Sequence, residues 1–180
     1  MNFDNLRNEI IKSAKLSFSD LIATHPGENF YSFILYTDED CYTVLPSANS
    51  EKAFLEKIAK RGVSDPKKAA GYKWSIGEWA YEAWMGDAFD DICESLANAS
   101  SDAAENGDFE QFRASTHKAM IDALKVIDAE GFFGDMRKDM VLFISSSDYY
   151  EAMKLKDMSA KALNSADTYD RFTRRFEGAL

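Results

Sequence analysis

Two short segments, Phe30–Thr37 and Met140–Ile144, are apolar or aromatic almost throughout. Successive strand residues point to opposite sides, so one side of the first segment takes Tyr31, Phe33 and Leu35 and the other Phe30, Ile34 and Tyr36. Strands apolar on both faces belong inside a sheet and need cover on both sides. The chain is therefore predicted to build a small sheet with helices or long segments over each face.

The stretch Cys41–Leu45 is rich in β-formers, and Asp38-Glu39-Asp40 offers a tight connection to it. The simplest sheet is a hairpin over residues 30–45 joined by a strand at 140–145, mainly antiparallel. About five or six helices pack against it, which makes one α+β domain over residues 1–180. A chain of 180 residues buries roughly 70% of its unfolded surface, so it needs neither disulfides nor metal to fold.

Helices are marked by periodicity and caps. Phe3, Leu6, Ile10, Ala14, Phe18 and Leu21 line one side of an N-terminal helix that His25-Pro26-Gly27 ends. Asn49-Ser50 caps a helix over residues 51–61 whose apolar side is Phe54, Leu55 and Ile58. Residues 63–72, with Asp65-Pro66 and Gly71, read as loop, as does the small and polar stretch 98–107. Asp108 and Gln111 cap a helix carrying Phe109, Phe112, Met120, Ala123 and Ile127, which Gly131 closes. Asp148 with Glu151 caps another, bearing Tyr149, Tyr150 and Met153. A last helix presents Tyr169, Phe172 and Phe176 inward and Arg171, Arg174 and Arg175 outward.

All three tryptophans fall within residues 74–84. Ser75 and Glu78 have the spacing of a capping box, and Trp74 and Trp79 that of a hydrophobic staple. This predicts a helix from Ile76, buried as far as Met85 and then amphipathic, with Met85, Phe89, Ile92, Cys93 and Leu96 facing the core. Asp87, Asp90, Asp91 and Glu94 stand at i, i+3, i+4 and i+7 on its other side. Such a row is a solvated face in its simplest form, and a docking surface for a basic partner in its functional one.

The formal net charge is −10. Nucleic-acid binding requires a basic footprint, so nucleic acid is not an expected partner. No apolar run approaches the roughly 18 residues of a membrane span, and Met1-Asn2-Phe3-Asp4 does not resemble a leader. A cytoplasmic protein is expected, with no membrane association. Cys41 and Cys93 lack C-x-x-C spacing and are expected to be reduced and at least partly buried.

Catalytic signatures are sparse. His25 and His117 have no matched partner spacing. Ser145, Ser146 or Ser147 with His117 and Asp148 would make a triad on paper, but the G-x-S-x-G elbow is missing, and serines before an aspartate suit a helix cap. Asp38-Glu39-Asp40 superficially suggests calcium, yet Thr43 and Asn49 stand where the loop needs glycine and glutamate. No phosphate-cradling glycine motif is present. No catalytic residue, metal or cofactor is assigned.

The order Phe33-Ile34-Leu35-Tyr36-Thr37-Asp38, Ala48-Asn49-Ser50-Glu51, Tyr72-Lys73-Trp74-Ser75 with Glu78-Trp79, Val141-Leu142-Phe143-Ile144-Ser145 and Ser159-Ala160-Lys161-Ala162-Leu163-Asn164 resembles the bacterial domain-of-unknown-function family numbered 4303. The resemblance covers nearly the whole chain and implies a cytoplasmic α+β domain, without supplying an activity. By analogy with families beside secreted toxin systems, it suggests an immunity-type protein.

The expected function is thus a non-enzymatic protein-binding module. Asp87, Asp90, Asp91 and Glu94, or the Asp38-Glu39-Asp40 turn, would steer a basic protein partner, and Trp84 would supply contact area. The alternative is a small-ligand binder or enzyme with an aromatic pocket at Glu78 and Trp79.

Overall fold

The computed structural model describes residues 1–177, Tyr149 by its backbone alone. The elements are α1 (Phe3–Thr24), β1 (Phe30–Thr37), β2 (Leu45–Ser50), α2 (Glu51–Lys60), α3 (Pro66–Trp74), β3 (Tyr81–Glu82), α4 (Asp90–Asn106), α5 (Phe109–Ala129), β4 (Val141–Ser146), α6 (Tyr149–Leu163) and α7 (Ala166–Thr173). Sheet order is β3-β2-β1-β4. β1 is antiparallel to β2 but parallel to β4. The sheet is mixed, not mainly antiparallel, because the chain reaches β4 through a long helical crossover rather than a hairpin.

Both faces of the sheet are covered, as the double-sided strands require. α1, α4 and α5 bury Ile10, Phe18, Leu96, Met120 and Ile127 against Phe33, Leu35, Leu142 and Ile144. On the other face, Phe54, Trp79 and Phe172 meet Tyr31, Ile34 and Phe143. One detail of the alternation differs. A register shift between Phe30 and Ser32 leaves Tyr31 as an extra residue, so Phe30 shares a face with Phe33, and Tyr31 joins Ile34. A bulge of this kind re-aims the side chains before it.

The second strand runs 45–50, not 41–45. Residues 38–44 form a wide connection in which the Asp38 carboxylate accepts from the amides of Asp40, Tyr42 and Thr43 and from the Thr43 hydroxyl. Cys41 adopts φ 54° there, and Cys41 and Val44 are driven into the core instead of into a ladder.

β4 was expected inside the sheet and instead lies at its edge. Its outward backbone groups are satisfied by α6. The Ile144 amide donates to Ser159 Oγ at 2.9 Å, the Leu142 amide donates to Asn164 Oδ1 at 2.9 Å, and Asn164 Nδ2 donates to the Leu142 carbonyl at 2.6 Å. Side chains thus replace a neighbouring strand, which also blocks edge pairing.

Seven helices are described, more than the five or six expected. Asp65-Pro66 opens α3: the Asp65 carboxylate accepts the Lys68 amide at 2.7 Å, and Pro66 occupies the first turn, where its missing N–H costs nothing. Residues 98–106 continue α4, consistent with the good helix formers Ala97, Ala99, Ala103 and Ala104. Asp108 precedes α5 without making a side-chain cap. Asp148 does cap α6, accepting from Tyr150 and Glu151. Arg175, expected outward, has a side chain only 4% exposed, lying 4.1 Å from the Phe172 ring centre, while Phe176 is exposed.

The tryptophan segment is not a long helix. Ser75 ends α3 in extended conformation and makes no side-chain cap. A single 3-10 turn, Ile76–Glu78, follows, and Tyr81–Glu82 then pairs with Ser47–Ala48 as β3. Sheet pairing has overridden the S-x-x-E signal. Trp79 is buried as expected, by another device: Trp74 and Trp79 pack edge-on to Tyr31 at 5.5 and 6.0 Å. The Lys73 carbonyl accepts from both Tyr31 Oη and Trp79 Nε1. Ala83 and Met85, each at φ 51°, then turn the chain toward α4.

Candidate functional site

α4 is fastened on its inner side and open on its outer side. Ile92, Leu96 and Ser100 are buried, and the Ser100 hydroxyl donates to the Asp40 carbonyl at 2.5 Å. Ser13 and Ser17 of α1 donate to the carbonyls of Ala88 and Trp84, both at 2.7 Å, which fixes the helix entrance. Gly107, at φ 78°, takes the left-handed conformation that closes the helix.

The outer side holds the predicted acidic row. Asp87 lies in a 3-10 turn before α4, and Asp90, Asp91 and Glu94 in its first turns; all four are exposed. Asp102 and Glu105 extend the same face, a continuation hidden when residues 98–107 read as loop. The spacing Asp91, Asn98, Asp102 and Glu94, Asn98, Glu105 was the available signal. α4 carries five carboxylates and no lysine or arginine. Among the described residues, no ion pair involves any of the five, nor Asp87.

Trp84 serves elsewhere. Its ring is half-buried and meets Tyr81 and His25 edge-on at 5.8 and 5.1 Å, and its indole N–H donates to Asp20 at 2.9 Å. It anchors the turn before α4 to the end of α1.

Two grooves meet beside α4. One, of about 400 Å³, runs between α1 and α4 and is lined by Asn2, Asn5, Glu9, Ser95, Asn98 and Asp102 around Leu6 and Ala99. The other, of about 430 Å³, continues toward α5 past Phe3, Ala103, Asp108, Gln111 and Phe112. They share Met1, Ala99 and Asp102.

Elsewhere, polar clusters are occupied by structural work. Glu78 pairs with Lys57 at 2.8 Å beside the buried Trp79, which packs edge-on to Phe143. Burial favours the neutral form of Glu28, but the Ser50 and Tyr81 hydroxyls and Lys52 together hold its carboxyl below the usual value. A cavity of about 640 Å³ opens near Arg137, Lys138 and Arg171, yet the Arg137 guanidinium is engaged by Asp128, the Met140 carbonyl and the Leu163 carbonyl.

His117, expected at the border of its helix stripe, is buried, with Nε2 at 3.9 Å from Cys41 Sγ. Burial, with Arg113 beside it, pushes the imidazole down to about 4, and burial pushes the Cys41 thiol up to about 11. The pair is therefore neutral at pH 7, the opposite of an activated thiolate with an imidazolium. Asp148 caps α6, and the described Ser145 hydroxyl bond goes to the Ser146 carbonyl, so the paper triad is not assembled.

A mixed four-stranded sheet covered by helices on both faces, with an acidic helix on one outer side, defines an α+β protein. The family model described as domain of unknown function (DUF4303) matches residues 10–165. The chain belongs to this family. Neither a curated protein nor a solved structure matches it. Among the described residues no helix is long and apolar enough to cross a membrane.

Proposed function

We propose that the chain is a protein-binding module whose α4 face engages a basic partner. The observation that carries this reading is the single sign of that face. Asp90–Glu94, Asp91–Glu94 and Asp102–Glu105 are like-charge neighbours at helical spacing; the helix N-terminus offsets the first two, but Asp102–Glu105, toward the C-terminal end, costs the helix about 0.2–0.5 kcal/mol with neither a favourable dipole nor an ion pair beside it. A face under selection for helix stability alone would intersperse lysines. An immunity-type role, in which the acidic face occludes a basic toxin surface, is one form of this activity. The buried Trp79 and the paired Glu78 favour the acidic face over an aromatic pocket at those two residues.

The test is affinity capture from the source cells with the native chain and with a variant that neutralises the whole face, Asp87→Asn, Asp90→Asn, Asp91→Asn, Glu94→Gln, Asp102→Asn and Glu105→Gln. A basic protein held by the native chain, released by salt of about 1 M, where screening shortens to ~3 Å, and lost with the variant is expected. Equal retention by the variant, or recovery of a small molecule and no protein, would overturn the reading.

A further inference from the structure

We infer that the two grooves meeting at Ala99 and Asp102 form the seat of the partner, and that they take a lysine- or arginine-bearing segment with apolar anchors. This rests on the protein-binding reading above and specifies where on that side of the molecule the partner docks. Among a mainly polar lining the floor carries an apolar strip: half-buried Phe3, Ala99 and Ala103 are open to the grooves above the buried Leu6 and Phe112, and the Phe3 and Phe112 rings lie 5.9 Å apart. The charged side chains on the rim are Glu9, Asp102 and Asp108, Met1 lies beside both grooves, and among the described residues no lysine or arginine side chain lines either. Asn2, Asn5, Asn98 and Gln111 supply amide groups around them.

Charge complementarity selects the occupant. An acidic segment would bring like charges to Glu9, Asp102 and Asp108, and a wholly polar basic one would leave the apolar floor unused. An amphipathic basic segment satisfies both, with apolar side chains seated over Ala99 and Ala103, where the helix surface lies low, and cations toward the rim. Of the other α4 carboxylates, Glu105 adjoins Asp102, while Asp90, Asp91 and Glu94 lie toward the other end of α4 and steer the approach without making the contact. The contact energy is assigned jointly to the rim carboxylates and to the still-accessible surface of Phe3, Ala99 and Ala103.

The probe is a synthetic peptide of about fifteen residues with leucine at helical spacing and lysine elsewhere, titrated by fluorescence anisotropy onto the full chain. Two double variants divide the surface: Glu9→Gln with Asp102→Asn in the grooves, and Asp90→Asn with Asp91→Asn outside them. The expected result is about a tenfold loss of affinity for the groove variant and a smaller loss, about two- to threefold, from weakened steering for the other. A peptide with serine in place of leucine should bind about tenfold more weakly than the leucine peptide. In spectra of labelled protein, the amide shifts should centre on Ser95, Asn98, Ala99 and Ala103.

A larger loss from the Asp90 and Asp91 variant would refute the groove while leaving the acidic-face reading intact. Equal binding of the leucine and serine peptides would refute the apolar seat in the same way. Absence of binding to either peptide, or binding indifferent to both double variants, would overturn the groove and count against the acidic face as well.

Discussion

Replacing Ser159 by alanine should destabilise the protein through a strand that the side chain does not belong to. Ser159 Oγ accepts the Ile144 amide at 2.9 Å and donates to the Leu155 carbonyl at 2.6 Å within its own helix. Ser159 and Ile144 are both fully buried. The substitution removes few atoms, so the cavity term is small; the cost is a buried N–H at the outer edge of β4 with no replacement acceptor. Leaving such a group unpaired costs about 1–3 kcal/mol. With an m-value of about 2 kcal/mol per M urea, the unfolding midpoint should fall by about 0.5–1.5 M. Asn164→Ala removes both the acceptor for the Leu142 amide and the donor to the Leu142 carbonyl. Asn164 is half-buried, so water can partly replace it, and a cost at the lower end of that range is expected. Amide exchange followed by NMR provides the specific readout. The Ile144 amide should lose protection in the Ser159 variant, while the β1 amides keep theirs up to the new global stability. A midpoint shift below about 0.3 M, or unchanged Ile144 protection at equal stability, would show that the edge is not held by this hydroxyl.

His117 and Cys41 yield two further expectations. The unfolded imidazole titrates near 6.5 and the folded one at about 4, so the unfolded state binds its proton first as pH falls. The stability belonging to the neutral ring is complete above pH 6.5 and declines toward pH 4, by at most about 1.4 kcal/mol per pH unit. Urea midpoints for the native chain and His117→Gln, measured at about pH 7 and about pH 5, should converge as the pH is lowered; parallel curves would refute the assignment. Cys41 is fully buried and its thiol is pushed up to about 11, so a disulfide reagent at about pH 8 should label it only after unfolding. Rapid labelling of Cys41 in the folded chain, identified by peptide mass, would show that its surroundings open.

What could be read from sequence was the set of segments whose own residues decide their fate. β1 and β4 announce themselves because their apolar side chains occupy both faces, and Phe33, Ile34, Leu142 and Phe143 are all fully buried. The cap positions Ser50 and Asp148 were legible because a hydroxyl or carboxylate before a helix bonds amides only two or three residues away. β2 was misplaced because Pro46-Ser47-Ala48-Asn49-Ser50 are weak β-formers, and pairing on both sides makes them a strand. The same non-local pairing of Tyr81–Glu82 overrode the local signal of Ser75 and Glu78. The edge position of β4 was invisible because the groups that complete it, Ser159 and Asn164, are 15 and 22 residues away from their backbone partners. Of the acidic site, the first half was legible from spacing alone. The second half disappeared into a presumed loop, and with it the groove residues Asn98, Ala99 and Asp102.

The distribution of charge is harder to ascribe to folding than its total. Helix dipoles favour acids in the first turn and bases in the last, by about 0.3–1 kcal/mol each. α4 complies at its start with Asp90 and Asp91, but its last turn contains no base. α3 has the acidic cap Asp65 and a base, Lys73, in its last turn, but it also places Lys67 and Lys68 in its first turn against the dipole. These two lysines, with Lys60 and Arg61 at the end of α2, are exposed, and none is in an ion pair among the described residues. Exchanging Asp102 and Glu105 of α4 with Lys67 and Lys68 of α3 would leave the net charge of −10 untouched and suit both dipoles. Solubility depends mainly on the net value, so it does not demand this segregation. At physiological ionic strength the screening length is about 8 Å, short enough that a partner approaching α4 meets its carboxylates and not the α2–α3 cations bordering the other core. A binding role for the local faces accounts for a charge pattern that neither helix stability nor solubility requires.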